Sequence, residues 1–115
     1  MNENQKQKSG KAEIAIVNSS SFGVYHEDLV ERLRNIGNVK RIDVPSDVDG
    51  KTLATKLTGT KYVIASVTPN FQNEFFENNE SIELIARHGI GCDNVDLSSA
   101  TESGILVTRV AGEPE

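Results

Sequence analysis

The run Arg87-His88-Gly89-Ile90-Gly91-Cys92-Asp93-Asn94-Val95-Asp96 holds the residue types and spacing best suited to chemistry in this 115-residue chain. It directly follows the apolar stretch Leu84-Ile85-Ala86, which reads as a strand. In an open α/β sheet, ligands gather beyond the carboxyl ends of the strands. Glycines two positions apart let backbone N–H groups approach an anion with no Cβ in the way. Gly89, Ile90 and Gly91 are therefore candidates to cradle a small carboxylate, and they would serve equally as a plain strand-to-turn connection. The spacing is not a dinucleotide fingerprint, because the position that would carry the third glycine holds Asn94.

The neighbouring side chains admit fewer roles. Asp93, Asn94 and Asp96 are expected to form a turn and cap the following helix, since short polar side chains accept backbone N–H bonds. Two carboxylates without further converging ligands do not make a divalent metal site, and none is expected. Arg87 suits either a bound carboxylate or an interdomain ion pair. His88 suits a polar lining position or local packing. Ser66 and Thr68, in a second strand-end loop, offer hydroxyls to a substrate or to the loop itself. Ser19, Ser20, Ser21 and Gly23 weakly suggest a phosphate loop. His26 and Cys92 have no evident catalytic partner in sequence, and a lone cysteine excludes an intramolecular disulfide.

These loops need a sheet to hold them. The spacing predicts strands at Ala12–Val17, Val39–Val44, Tyr62–Ala65, Leu84–Arg87 and Ile105–Thr108. Between them it predicts helices at Val24–Ile36, Asp49–Leu57, around Phe71–Phe76, and at Asp96–Glu102. In the first helix, Tyr25, Leu29, Val30, Leu33 and Ile36 are expected on one face, with Gly37 as the stop. Gly59 and Gly104 follow two of the later helices. Isoleucine and valine together outnumber leucine 20 to 7, consistent with prominent strands. The βα alternation predicts an α/β fold with three layers, helix–sheet–helix, around a mostly parallel five-stranded sheet. Residues 1–11 read as a flexible tail, 12–110 as the α/β domain, and 111–115 as a truncated interdomain segment.

With 12 basic and 17 acidic residues, the net charge of −5 argues against broad nucleic-acid binding. Apolar runs are too short for a membrane span, and the polar start is unlike a signal peptide, so a cytoplasmic location is expected. The length suits one domain with one modest core. A cofactor domain plus a substrate domain would each need a covered sheet of its own.

From Arg87 to Asp96, and on through Leu97-Ser98-Ser99-Ala100-Thr101-Glu102-Ser103-Gly104-Ile105, the sequence resembles the D-isomer-specific 2-hydroxyacid dehydrogenase family. The likeness extends more loosely from about Ile14 to Gly112. It implies a flavodoxin-like substrate domain that closes against a Rossmann NAD domain in a homodimeric parent. It also implies hydride transfer between NAD and C2 of a 2-hydroxy or 2-keto acid. By the resemblance, Gly89, Ile90 and Gly91 contact the substrate carboxylate through backbone N–H groups, and Ser66 helps orient the acid. The family often carries arginine just before that serine, where this chain has Ala65. The family's nucleotide loop, catalytic arginine, acidic partner and acid/base histidine lie later in its chain. No catalytic residue is therefore assigned here, and no strong NAD binding is expected of these residues alone. The expectation is a substrate-side domain incomplete for hydride transfer, and the alternative is an independent small-acid-binding module. A flavodoxin-like electron carrier would want a more specific phosphate loop than Ser19–Gly23 offers, and a receiver domain would need an aspartate where Ala65-Ser66 stands.

Overall fold

The computed structural model describes residues 12–19, 27–88 and 94–110. The elements run β1 (Ala12–Val17), α1 (Glu27–Ile36), β2 (Gly37–Ile42), α2 (Gly50–Lys56), β3 (Tyr62–Ala65), α3 (Asn73–Asn78), β4 (Leu84–His88), α4 (Leu97–Glu102) and β5 (Leu106–Val110). The five strands form one sheet in the order β2-β1-β3-β4-β5. All four pairings are parallel, with Ile14 opposite Val39 and Tyr62, Ala65 opposite Arg87, and Arg87 opposite Arg109. This is the flavodoxin-like order, and the chain reverses its direction of travel across the sheet between β1 and β3.

Alternation along the strands creates two cores. Ile14, Ile16 and Ile64 face one side and pack against Val30 and Leu33 of α1. Ala15, Val17, Val63, Ala65 and Ile85 face the other, where α2, α3 and α4 contribute Leu53, Phe75, Phe76 and Ala100, and the α2 C-cap contributes Leu57. Phe75 stands edge-on to both Phe71 and Phe76, with ring centroids 5.1 Å apart in each pair. Each such pair contributes about 0.5–1.5 kcal/mol beyond area burial. No helix among the described residues is long and apolar enough to cross a membrane.

Local chemistry sets the helix ends. Asp49 caps α2 by accepting from the Thr52 backbone N–H at 3.0 Å and from its hydroxyl at 2.8 Å. The Thr52 backbone hydrogen bond, then its hydroxyl, holds the Asp49 carboxyl below its ordinary value of 3.8. Because the folded value is lowered, that stabilisation is present above the ordinary value and is lost as pH falls through the lowered one. Gly59 and Gly104, beyond α2 and α4, take left-handed φ values of 83° and 77°, which glycine adopts without a Cβ penalty.

The structure refines one expectation and corrects two. Helix α1 ends at Ile36, so Gly37 follows it as expected, but as the first residue of β2, buried against β1, rather than as a left-handed cap. Ile36 is 64% exposed rather than on the packed face. Two steps of three residues each fall short of a full turn by about 60°, so Ile36 lies roughly 120° round from Val30. Finally, β2 ends at Ile42 rather than at Val44. Asn18, with φ of 52°, continues the pairing in place of a strand residue. Its backbone N–H donates to the Ile42 carbonyl, its Oδ1 accepts from the Val44 N–H, and its Nδ2 donates to the Val44 carbonyl.

The close approach at Gly37 generates a prediction. A Cβ there would lie 2.6 Å from the Ala12 carbonyl oxygen and 2.7 Å from Ile14 Cδ1. Gly37→Ala should therefore destabilise the fold by about 1–3 kcal/mol through forced backbone displacement. Urea denaturation followed by far-UV circular dichroism measures this, and an unchanged midpoint would contradict the packing at β1–β2.

Candidate functional site

Parallel pairing brings the carboxyl ends of β3 and β4 side by side, so the loops leaving Ala65 and His88 start from neighbouring positions. Of the residues picked out from sequence, Gly89, Ile90, Gly91, Cys92 and Asp93 lie outside the described residues, as do Ser20, Ser21, Gly23 and His26. Ser66, Thr68, Arg87, Asn94 and Asp96 are described.

The two loops are laced together beyond the sheet. Phe71 and Val95 form an isolated parallel bridge. The Phe71 N–H donates to the Asn94 carbonyl at 2.6 Å, and the Asp96 N–H donates to the Phe71 carbonyl at 2.8 Å. The Asn94 side chain, nearly buried, donates from Nδ2 to the Ser66 carbonyl at 2.8 Å and to the Pro69 carbonyl at 2.9 Å. One carboxamide thus satisfies two carbonyls in a loop that no neighbouring strand can pair. The preceding Thr68–Pro69 bond is cis, and Pro69 is buried in the same turn.

Each polar residue of this sheet end has a definite position. Ser66 is half-buried, its carbonyl held by Asn94, and its hydroxyl makes no hydrogen bond among the described residues. Thr68 instead gives its hydroxyl oxygen to Asn18 Nδ2 at 3.2 Å, which ties the β3 loop back to the end of β1. Asp96 caps α4 by accepting from the Ser99 N–H at 3.1 Å. Ser99 in turn donates to Asn73 Oδ1 at 3.3 Å and joins α4 to α3. Among the described residues, no group of three or more His, Cys, Asp or Glu side chains is placed to hold a metal ion.

Arg87 takes a position that sequence reasoning left between two roles. Its side chain shares the face of Ile85 and is 2% exposed. The period-two alternation of β4 carried that signal, since Ile85 and Arg87 must face the same way. Sequence reading missed the bridging role of Asn94 and the pairing role of Asn18. Both depend on carbonyls far away in sequence, and no local spacing reports them.

The match to known proteins then becomes decisive. Residues 14–114 match the family described as D-isomer specific 2-hydroxyacid dehydrogenase, catalytic domain. The chain belongs to this family. Among curated relatives, it is 29% identical over 84 residues to a D-3-phosphoglycerate dehydrogenase of Methanocaldococcus jannaschii, covering 73% of this chain and 16% of that protein. It is 33% identical over 60 residues to a glyoxylate reductase of Thermococcus litoralis, covering 52% of this chain and 18% of that one. A solved protein of Pyrococcus horikoshii superposes with a TM-score of 0.72 at 28% identity, covering 89% of this chain and 28% of that one. The chain therefore spans under a fifth of the two curated relatives' lengths.

The lacing predicts the consequence of removing it. Asn94→Leu keeps the size of the side chain but orphans the Ser66 and Pro69 carbonyls. The cost should be about 1–3 kcal/mol, the penalty for unsatisfied buried polar groups. Hydrogen exchange at the Phe71 and Asp96 amides should accelerate more than at the β1 amides. Equal protection at all three would show that Asn94 does not hold the two loops.

Proposed function

We propose that this domain supplies the acid-holding side of a D-2-hydroxyacid dehydrogenase, with hydride transfer completed by a nicotinamide carried on a separate Rossmann domain. The carrying observation is the juxtaposition of the β3 and β4 loops at one sheet end, stapled by Asn94, in a chain of this family. The backbone N–H groups of Gly89, Ile90 and Gly91 receive the substrate carboxylate. Ser66, whose hydroxyl is uncommitted among the described residues, orients the acid beside it. The parent is a homodimer acting in the cytoplasm on a small 2-hydroxy or 2-keto acid.

The residues present do not fit a nicotinamide dinucleotide. The position where a dinucleotide loop would carry its third glycine is filled by the buried Asn94 side chain, which is committed to two carbonyls. That glycine normally permits close packing of helix on strand. The strand order is also flavodoxin-like rather than that of a dinucleotide domain. What these residues contribute is binding and orientation, which supply a large part of a bimolecular barrier once the redox partner is in place.

Ala65 refines the substrate. It is wholly buried and faces Val17 and Arg87 across the sheet, so it offers no cation where relatives often have arginine. This favours a short unphosphorylated keto acid over a phosphorylated one. Titrating the 115-residue chain with glyoxylate should shift the amide resonances of Gly89–Gly91, and Gly91→Val should weaken that binding by about tenfold or more, a loss of roughly 1.4 kcal/mol or more. NADH oxidation with a panel of 2-keto acids should stay flat for this chain alone and appear when a nicotinamide domain is supplied. Robust turnover by the chain alone would overturn the division of labour, and absence of any acid binding would overturn the cradle.

A further inference from the structure

Asn18 follows β1 at the place where the strand order reverses, between β1 and β3. In an open parallel sheet that reversal is where a ligand crevice forms. The orientation of the Asn18 carboxamide is fixed by its partners. Its Oδ1 accepts from the Val44 N–H at 2.7 Å, which leaves Nδ2 to donate to the Val44 carbonyl at 2.9 Å and to Thr68 Oγ1 at 3.2 Å. One side chain thus joins the chain beyond β2 to the loop beyond β3, across the end of the strand that lies between them.

The three bonds do not serve one purpose. The two to Val44 satisfy backbone groups that a longer β2 would otherwise have paired. The third satisfies only the hydroxyl of a half-buried threonine, a group that water can serve nearly as well. What the third bond changes is the freedom of the segment Ser66–Pro69. Asn94 holds the Ser66 and Pro69 carbonyls of that segment from the β4 side, and Asn18 holds Thr68 from the β1 side. The Ser66 hydroxyl lies between these anchors in sequence and is itself uncommitted among the described residues. A donor on a segment already fixed loses less freedom when it meets a ligand.

We propose that Asn18, acting through Thr68, is a positioning residue for acid binding, a role that rests on the acid-holding function proposed above. Asn18 itself does not touch the acid. It fixes the β3 loop from the β1 side, so that the Ser66 hydroxyl is already in place when a small 2-keto acid arrives. The Asn18 backbone, with φ of 52°, is one that asparagine adopts more readily than most residues, and a glycine there would keep it while removing the side chain.

The test titrates the 115-residue chain with glyoxylate and follows its amide resonances. Thr68→Val keeps the shape of the side chain, deletes the acceptor and leaves both Asn18–Val44 bonds in place. It should weaken glyoxylate about three- to tenfold, the cost of ordering a side chain and its loop on binding. Thr68→Ser, which keeps the hydroxyl, should restore wild-type affinity. In a Ser66→Ala background, Thr68→Val should cost nothing further, because residues that act through one contact are not additive. A purely structural threonine would show the same loss with and without Ser66. Should Thr68→Val not fold, Asn18→Gly deletes the same bond at a backbone glycine accepts and should weaken glyoxylate at least as much. Wild-type affinity in Thr68→Val, or an undiminished loss in the Ser66→Ala background, would overturn the positioning role and leave the acid-holding function standing. A wild-type chain that does not bind glyoxylate would overturn both.

Discussion

The carboxyl end of this sheet depends on a single carboxamide. Parallel strands satisfy one another only as far as their ladder extends, and beyond Ala65 the Ser66–Pro69 segment pairs with no strand among the described residues. The Ser66 and Pro69 carbonyls would then be buried without partners, a cost comparable to the net worth of several ordinary hydrogen bonds. Asn94 Nδ2 reaches both, and the Phe71–Val95 bridge beneath it fixes the two loops at one spacing. A β3 loop positioned in this way can present the Ser66 hydroxyl to a ligand without first having to be ordered by it.

The same segment supplies positions further along. Two residues after Asn94, Asp96 caps α4, and Ser99 of α4 bonds Asn73 of α3. The β3 loop is held from the other side by Asn18, which contacts Thr68 while it extends the β1–β2 pairing to Val44. Two asparagines at the ends of different strands thus do what backbone ladders cannot. Asn18 does so by both donating and accepting, and Asn94 by donating twice from one Nδ2.

How far the sequence revealed this arrangement follows from the range of the forces involved. The five strands were legible because alternation and β-branched runs are local, and the parallel arrangement followed from the regular helices between them. Gly59 and Gly104 were legible as helix ends because left-handed backbone favours glycine. Gly37 marked the end of α1 correctly but for another reason. The chain needs glycine there because β1 approaches too closely for a Cβ. Ile36 misled because hydrophobic spacing of three, taken twice, drifts off the packed stripe. Asn94 read as a cap because short polar residues usually satisfy backbone nearby, whereas its partners lie 28 and 25 residues away. The family signature pointed to this end of the sheet as the candidate site but carried no information about what holds it.

There remains the apparent conflict between the proposed acid-holding role and a net charge of −5. At physiological salt, exposed charges are largely screened beyond about 8 Å, so the overall negative field neither attracts nor strongly repels a ligand already at the loop. Affinity for an anion must therefore come from groups in direct contact with it, in places where water does not screen them. Backbone N–H groups freed of Cβ atoms are the source in the function proposed above. Such donors act by being in direct contact and desolvated, not by being many. In the proposed function, the recognition of acids rests on a few backbone donors that composition does not count.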